Sequence, residues 1–265
     1  MNHYIEENKK DTSNYASFFS YKKLNSVIIR LSKEGPMIKD NLENVNRKIQ
    51  EVCDKCNIKN DIILVAVSKT RTPDEINTAI DCGITDIGEN KVQEILDKYD
   101  KVKPVKWHMI GHLQTNKVRY IIDKVDLIHS VDSLKLAKEI DKRAKEHNKI
   151  MDILVQINPA EEESKFGVSL DEVENLVLSI ASSCDNICIK GLMSVAPAWD
   201  DLDAIKSLFI DVKAKYDELS MIDNPKLDFC YLSMGMSGDY PVAIEAGSNV
   251  VRIGTAIFGE RDYSK

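Results

Sequence analysis

Eight short apolar runs, most of them separated by stretches of helical periodicity, constrain this chain more than any other feature. The strand candidates are Ile62–Val67, Asp86–Gly88, Val105–Ile110, Leu127–Ser130, Asp152–Ile157, Ile187–Met193, Asp228–Leu232 and Val250–Ile253. They are mostly apolar throughout rather than alternating in polarity, the mark of parallel strands covered on both faces. The helical stretches between them have legible starts. Thr72-Pro73-Asp74-Glu75 places proline in a first turn, Ser133 precedes Leu134–His147, and Ser169 precedes Leu170–Ser182 with Glu172 three residues on, a capping box. Ahead of the first strand, Leu42, Val45, Ile49 and Val52 recur at helical spacing up to about Cys56. Strand and helix alternating eight times predict an α/β fold, a single (β/α)8 TIM barrel, with the helix over 42–56 covering the place where a final helix is otherwise missing. An open doubly wound sheet is the second choice. Its G-x-G-x-x-G fingerprint is absent after the first strand, where Ser68-Lys69-Thr70-Arg71 stands instead.

Composition sets the outer bounds. A length of 265 residues suits one α/β barrel, and a net charge of −7 argues against a broad nucleic-acid surface. No apolar run is long enough to span a membrane. The start, Met1-Asn2-His3-Tyr4-Ile5-Glu6-Glu7, lacks the order of a secretory signal, so a cytoplasmic location and six reduced cysteines are expected. Cys53 and Cys56 form a C-x-x-C without a second pair at zinc-ribbon spacing, and no metal site is expected there. Residues 1–36, rich in Asn, Lys, Ser and Tyr, stand apart from the regular pattern of 37–265. They read either as an added arm or as the product of a start codon upstream of Met37. Val27–Leu31 within them fits a short helix or a short strand.

In a barrel the carboxyl ends of the strands form one rim, and that rim carries the chemistry. Reading the strand ends gives Lys69, Glu89-Asn90, Gly111-His112, Ser130, Asn158-Pro159, Ser194, Ser233–Ser237 and Arg252–Thr255. Lys69 at the end of the first strand is a candidate Schiff-base nucleophile, since partial desolvation lowers an amine's proton affinity. The Gly/Ser/Thr loops after the seventh and eighth strands occupy the usual phosphate site of such barrels. An amine for an aldehyde facing a cradle for a phosphate specifies pyridoxal 5′-phosphate (PLP).

Several motifs in order carry a family resemblance. They are Val67-Ser68-Lys69, Gly88-Glu89-Asn90 with Val92-Gln93-Glu94, and Trp107-His108 with Ile110-Gly111-His112-Leu113-Gln114-Thr115-Asn116-Lys117. Asn158 with Glu163-Ser164-Lys165 and Gly167, Gly191-Leu192-Met193, Leu232 to Asp239, and Val251 to Gly259 complete the set. Over about 37–260 the chain resembles the pyridoxal phosphate homeostasis proteins, the YggS/PROSC group. His112 stands where that motif would carry proline. The resemblance implies a PLP fold-type III barrel, like the N-terminal domain of alanine racemase, with Lys69 as the internal aldimine. It implies that Gly254, Thr255, Ser237 and the loop around Met234 hold the phosphate, that Arg252 faces the pyridine nitrogen, and that Asn90 lies near the ring hydroxyl. An arginine there cannot accept a proton and disfavours a pyridinium, so the ring becomes a weaker electron sink.

Racemases of this fold add a C-terminal β-domain carrying a second acid/base, whereas this chain stops ten residues after Thr255. The expected function is therefore buffering and delivery of PLP, with no catalytic residue, no efficient amino-acid turnover, and apo PLP-dependent enzymes as recipients of the cofactor. The expected state is a monomer. The alternatives are a PLP-dependent amino-acid racemase of low activity and a phosphosugar lyase that uses the same lysine.

Other residues are set aside. His108 and His112 would lie about 13 Å apart along an extended strand, too far for one metal ion. His129 reads as a satisfied interior histidine. Lys165 reads as a solvated charge in an acidic loop, with a second PLP contact as the functional alternative. The Trp199-Asp200-Asp201 turn reads as ordinary surface.

Overall fold

The computed structural model describes residue 35 and residues 37–260, Glu163 excepted. The rest of the 1–36 extension, with Val27–Leu31, lies outside the described residues. All eight expected strands form: β1 (Ile63–Val67), β2 (Asp86–Glu89), β3 (Lys106–Met109), β4 (Leu127–Val131), β5 (Met151–Ile157), β6 (Ile187–Ser194), β7 (Leu227–Ser233) and β8 (Val250–Ile253). They lie in sequence order and pair in parallel, and β1 meets β8 to close a barrel. A closed ring excludes the open sheet. The register shifts once in each of three pairs, β4–β5 at 128/131, β5–β6 at 153/154 and β6–β7 at 189/191, as bulges produce.

The helices are α1 (37–56), α2 (Pro73–Asp81), α3 (Val92–Lys98), α4 (Leu134–Glu146), α5 (Val173–Ser183), α6 (Leu202–Ser220), α7 (Tyr240–Glu245) and α8 (Thr255–Phe258). After β3 a 3₁₀ segment, Thr115–Tyr120, stands where a crossover helix would be. The anticipated caps form. The Thr72 hydroxyl accepts from Glu75 N–H while the Glu75 carboxylate accepts from Thr72 N–H, and the Ser133 hydroxyl accepts from Leu136 N–H. Ser169 and Glu172 also close their box, at 3.2 and 3.3 Å, yet 170–172 form a turn and α5 begins only at Val173. Leu170 packs against the core from inside that turn, so the helix starts three residues later than expected.

α1 buries Ile38, Leu42, Val45 and Val52, and Asn41 Nδ2 donates to the carbonyl of Ile257 in the four-residue α8 at 2.9 Å. The N-terminal helix thus covers the wall that a longer last helix would cover. One large apolar cluster fills the space between strands and helices, and a small separate one gathers Leu127, Leu154 and Met193. Among the described residues no helix is long and apolar enough to cross a membrane.

Candidate functional site

Lys69 follows β1 by two residues and is half-buried. Thr70 beside it has φ +66°, an unusual conformation for a β-branched residue that must be held by its surroundings. The hold is visible. Glu94 Oε2 accepts from Thr70 N–H at 2.6 Å, and Gly88 O accepts from Ser68 N–H at 3.0 Å. Beneath the turn, the buried Lys98 ammonium donates to Ser68 O at 2.9 Å, to Glu89 Oε1 at 2.7 Å and to Glu94 Oε2 at 2.7 Å. The Ser68 hydroxyl donates to Glu89 Oε1 at 2.7 Å. Burial pushes the Glu89 carboxyl up, with Lys98 pulling the other way. This clamp has only a faint signature in the sequence, the i,i+4 pair Glu94–Lys98; its other members are brought in by the barrel.

Strand register puts the other candidates alongside. Ala66 aligns with Ile253 and Val67 with Gly88, so β8 and β2 flank the end of β1. Gly254 lies against Val67: a Cβ there would stand 3.3 Å from the Val67 carbonyl oxygen. The Ser237 hydroxyl accepts from Gly254 N–H at 3.3 Å and from Ala256 N–H at 3.4 Å, so two backbone donors converge on one oxygen. Thr255 is exposed at the first position of α8. Met234 is fully buried and its N–H is taken by Val250 O at 3.1 Å, so it shapes the loop from below. Arg252 N–H donates to Gly235 O at 3.0 Å, which fastens that loop to β8.

The Arg252 side chain is 3% exposed. Its Nη1 donates to Ser233 O at 2.8 Å and to Ser233 Oγ at 2.6 Å, and its Nη2 to Ser194 O at 2.8 Å. Burial brings its pKa down to about 10 against the opposing pull of Asp239, so the guanidinium stays charged near neutrality.

Among the described residues, five buried side-chain oxygens have no hydrogen-bond partner: Glu89 Oε2, Asn90 Oδ1, Ser130 Oγ, Asn158 Oδ1 and Ser194 Oγ. All five sit at or just past the carboxyl ends of β2, β4, β5 and β6, on the rim that holds Lys69. Orphaned buried oxygens are costly, and their confinement to one mouth suits a polar ligand. Asn90 is fixed there by Gly111, where a Cβ would approach the Asn90 carbonyl oxygen to 2.4 Å.

The residues set aside on sequence grounds fall out as follows. His108 and His129 are buried and hydrogen-bonded to each other at 2.8 Å. His112 stacks on Phe166, with ring centroids 3.6 Å apart, in the loop after β5. Lys165 is not a freely solvated charge: its Nζ donates to Ala196 O at 2.8 Å and pairs with Glu162 at 2.6 Å, tying together the loops after β5 and β6. Asp201 caps α6 and Trp199 is exposed. Cys53 is buried and Cys56 exposed, both as thiols, and no three-residue metal cluster exists among the described residues.

Comparison with known proteins places this barrel. Residues 41–262 match the family described as alanine racemase, N-terminal domain. The pyridoxal phosphate homeostasis protein of Aquifex aeolicus is 40% identical over 227 residues, spanning 84% of this chain and 98% of that protein. The chain belongs to the pyridoxal phosphate homeostasis protein family. The Escherichia coli member is 37% identical over 241 residues, covering 86% of this chain and 98% of its own. Among solved structures, PipY of Synechococcus elongatus, determined with PLP bound, superposes with a TM-score of 0.73 at 29% identity, over 84% of this chain and all of that one. Alanine racemase of Clostridium difficile shares the fold alone, at a TM-score of 0.64 and 15% identity over 84% of this chain and 60% of its own. The structure thus has the TIM barrel expected of this family, like the N-terminal domain of alanine racemase.

Proposed function

We propose that this chain binds pyridoxal 5′-phosphate at the carboxyl-end mouth of the barrel and holds it for cofactor homeostasis, without efficient amino-acid turnover. The observation that carries the reading is the rim itself: a half-buried lysine between two strands whose ends supply converging amides, a buried guanidinium and orphaned oxygens. The bound-cofactor structure of PipY and the names of the relatives support it. The residues present fit such a group.

When bound, PLP supplies a reactive aldehyde and an electron-withdrawing ring. Lys69 would hold the aldehyde carbon. Ser237, Thr255 and the amides at 254–256 would receive the phosphate, with Met234 supporting their loop from below. Asn90 would lie near the ring hydroxyl. Arg252 only donates hydrogen bonds, so it would face the ring nitrogen as a donor and disfavour its protonation. That choice of partner favours storage over carbanion chemistry. The barrel over 37–265 carries this function, with 1–36 as an appended extension, and a cytoplasmic monomer delivers the cofactor to apo-enzymes that depend on it.

Borohydride trapping followed by peptide mass spectrometry tests the reading: a pyridoxyl adduct on Lys69 is the expected result, and its absence overturns it. Chiral analysis after incubation with L-alanine and L-serine tests the storage assignment. Racemisation faster than about one turnover per second, the low end of ordinary enzyme rates, would make this an enzyme.

A further inference from the structure

A continuous line of hydrogen bonds crosses the barrel interior from its amino end to Arg252. Asp86 Oδ1 meets His108 Nε2 at 2.9 Å, His108 Nδ1 meets His129 Nε2 at 2.8 Å, and His129 Nδ1 meets Ser233 Oγ at 3.0 Å. Ser233 Oγ accepts from Arg252 Nη1 at 2.6 Å. The five residues come from β2, β3, β4, β7 and β8, and all are buried, His129 and Ser233 completely.

With both imidazoles neutral, this line admits one arrangement of protons. Arginine only donates and an ionised carboxylate only accepts. His108 therefore gives Nε2–H to Asp86, accepts at Nδ1 from His129 Nε2–H, and leaves His129 Nδ1 to accept the Ser233 hydroxyl proton. Every bond points from the guanidinium toward the carboxylate.

We propose that His108 and His129 are positioning residues for Arg252, forming with Asp86 and Ser233 a one-directional chain that orients the guanidinium at the cofactor mouth. The assignment rests on the reading of Arg252 as the residue that faces the cofactor ring. The chain starts at the amino end of the barrel, where His108 lines a cavity of about 220 Å³ with Asp86, Lys106, Asp126, Asp152 and Tyr231. His129 is hydrogen-bonded to His108 and Ser233. Burial, then the neighbouring His108 and Arg252, hold His129 well below the ordinary histidine range, so it stays neutral.

Nitrogen-15 spectra of the histidine rings in the cofactor-free protein test the chain directly. Both His108 and His129 are expected as Nε2–H tautomers at neutral pH. An Nδ1–H tautomer on either ring at neutral pH overturns the proposal. The second arm measures PLP affinity. His129→Asn retains an acceptor for Ser233 and is expected to keep most of the affinity. His129→Leu should weaken binding about tenfold, the effect of one lost buried hydrogen bond. Equal affinities in the parent protein and in His129→Leu would overturn the proposal. If the parent gives no borohydride-trapped adduct on Lys69, the cofactor reading fails, while the tautomers still decide whether the chain exists.

Discussion

The two ends of the barrel treat their polar groups in opposite ways. At the amino end, Asp86 engages both oxygens, one with His108 and one with the Thr85 hydroxyl. Asp126 accepts from Trp107 N–H at 2.8 Å, and Lys190 pairs with Asp228 at 2.6 Å. At the carboxyl end, five buried oxygens among the described residues lack partners. An orphaned buried acceptor costs about 1–3 kcal/mol, so a fold that tolerates several of them at one mouth and completes the bonds at the other has separated its two tasks. The amino end holds the barrel together, and the carboxyl end is left ready for a ligand.

That contrast can be broken most directly at Lys69. Lys69→Ala should reduce the trapped pyridoxyl adduct to background in mass spectrometry, and an adduct that persists would move the site elsewhere. Lys98→Met comes next. It leaves the wholly buried Glu89 without its cation, and urea denaturation should show a loss of roughly 3–5 kcal/mol. Between the two ends, His129 gives a pH signature. Its proton affinity is lowered in the folded state, so the unfolded chain binds the extra proton and stability falls as the solution is acidified below about pH 6.5. The slope from this group approaches roughly 1.4 kcal/mol per pH unit, and His129→Gln should flatten the stability curve there by that amount. The smallest effect is expected at the amino end. Asp126→Ala removes the acceptor for Trp107 N–H at an exposed position, which should cost about 1 kcal/mol and leave PLP affinity unchanged. A matching drop in affinity would show that the two ends are not separate.

Much of this was legible in the sequence because strand ends map onto the rim in order. The apolar runs gave all eight strands to within a few residues, since buried parallel strands need little besides β-branched and apolar side chains. The polar residues at or just past their carboxyl ends, Lys69, Asn90, Ser130, Asn158, Ser194 and Arg252, are the ones now found around the mouth. What escaped is whatever depends on long-range closure. Asp86, His108, His129 and Ser233 sit on four different strands, and His129 and Ser233 are 104 residues apart; no local spacing announces their chain. Lys98 reads as one more helical lysine until β2 brings Glu89 beneath it. Lys165 looked solvated because the acceptor that claims it, Ala196 O, belongs to the next loop.

The contact of Asn41 with Ile257 joins residues 216 positions apart in the chain. At ribosomal speeds of several to twenty residues per second, that separation is on the order of ten to forty seconds of synthesis. For that interval the first helix, with its Leu42 and Val45 stripe, waits for the wall it will finally seal. The nascent protein therefore carries an unlatched hydrophobic door through most of its birth, and helpers that shield such surfaces have their chance to act before the last strand arrives.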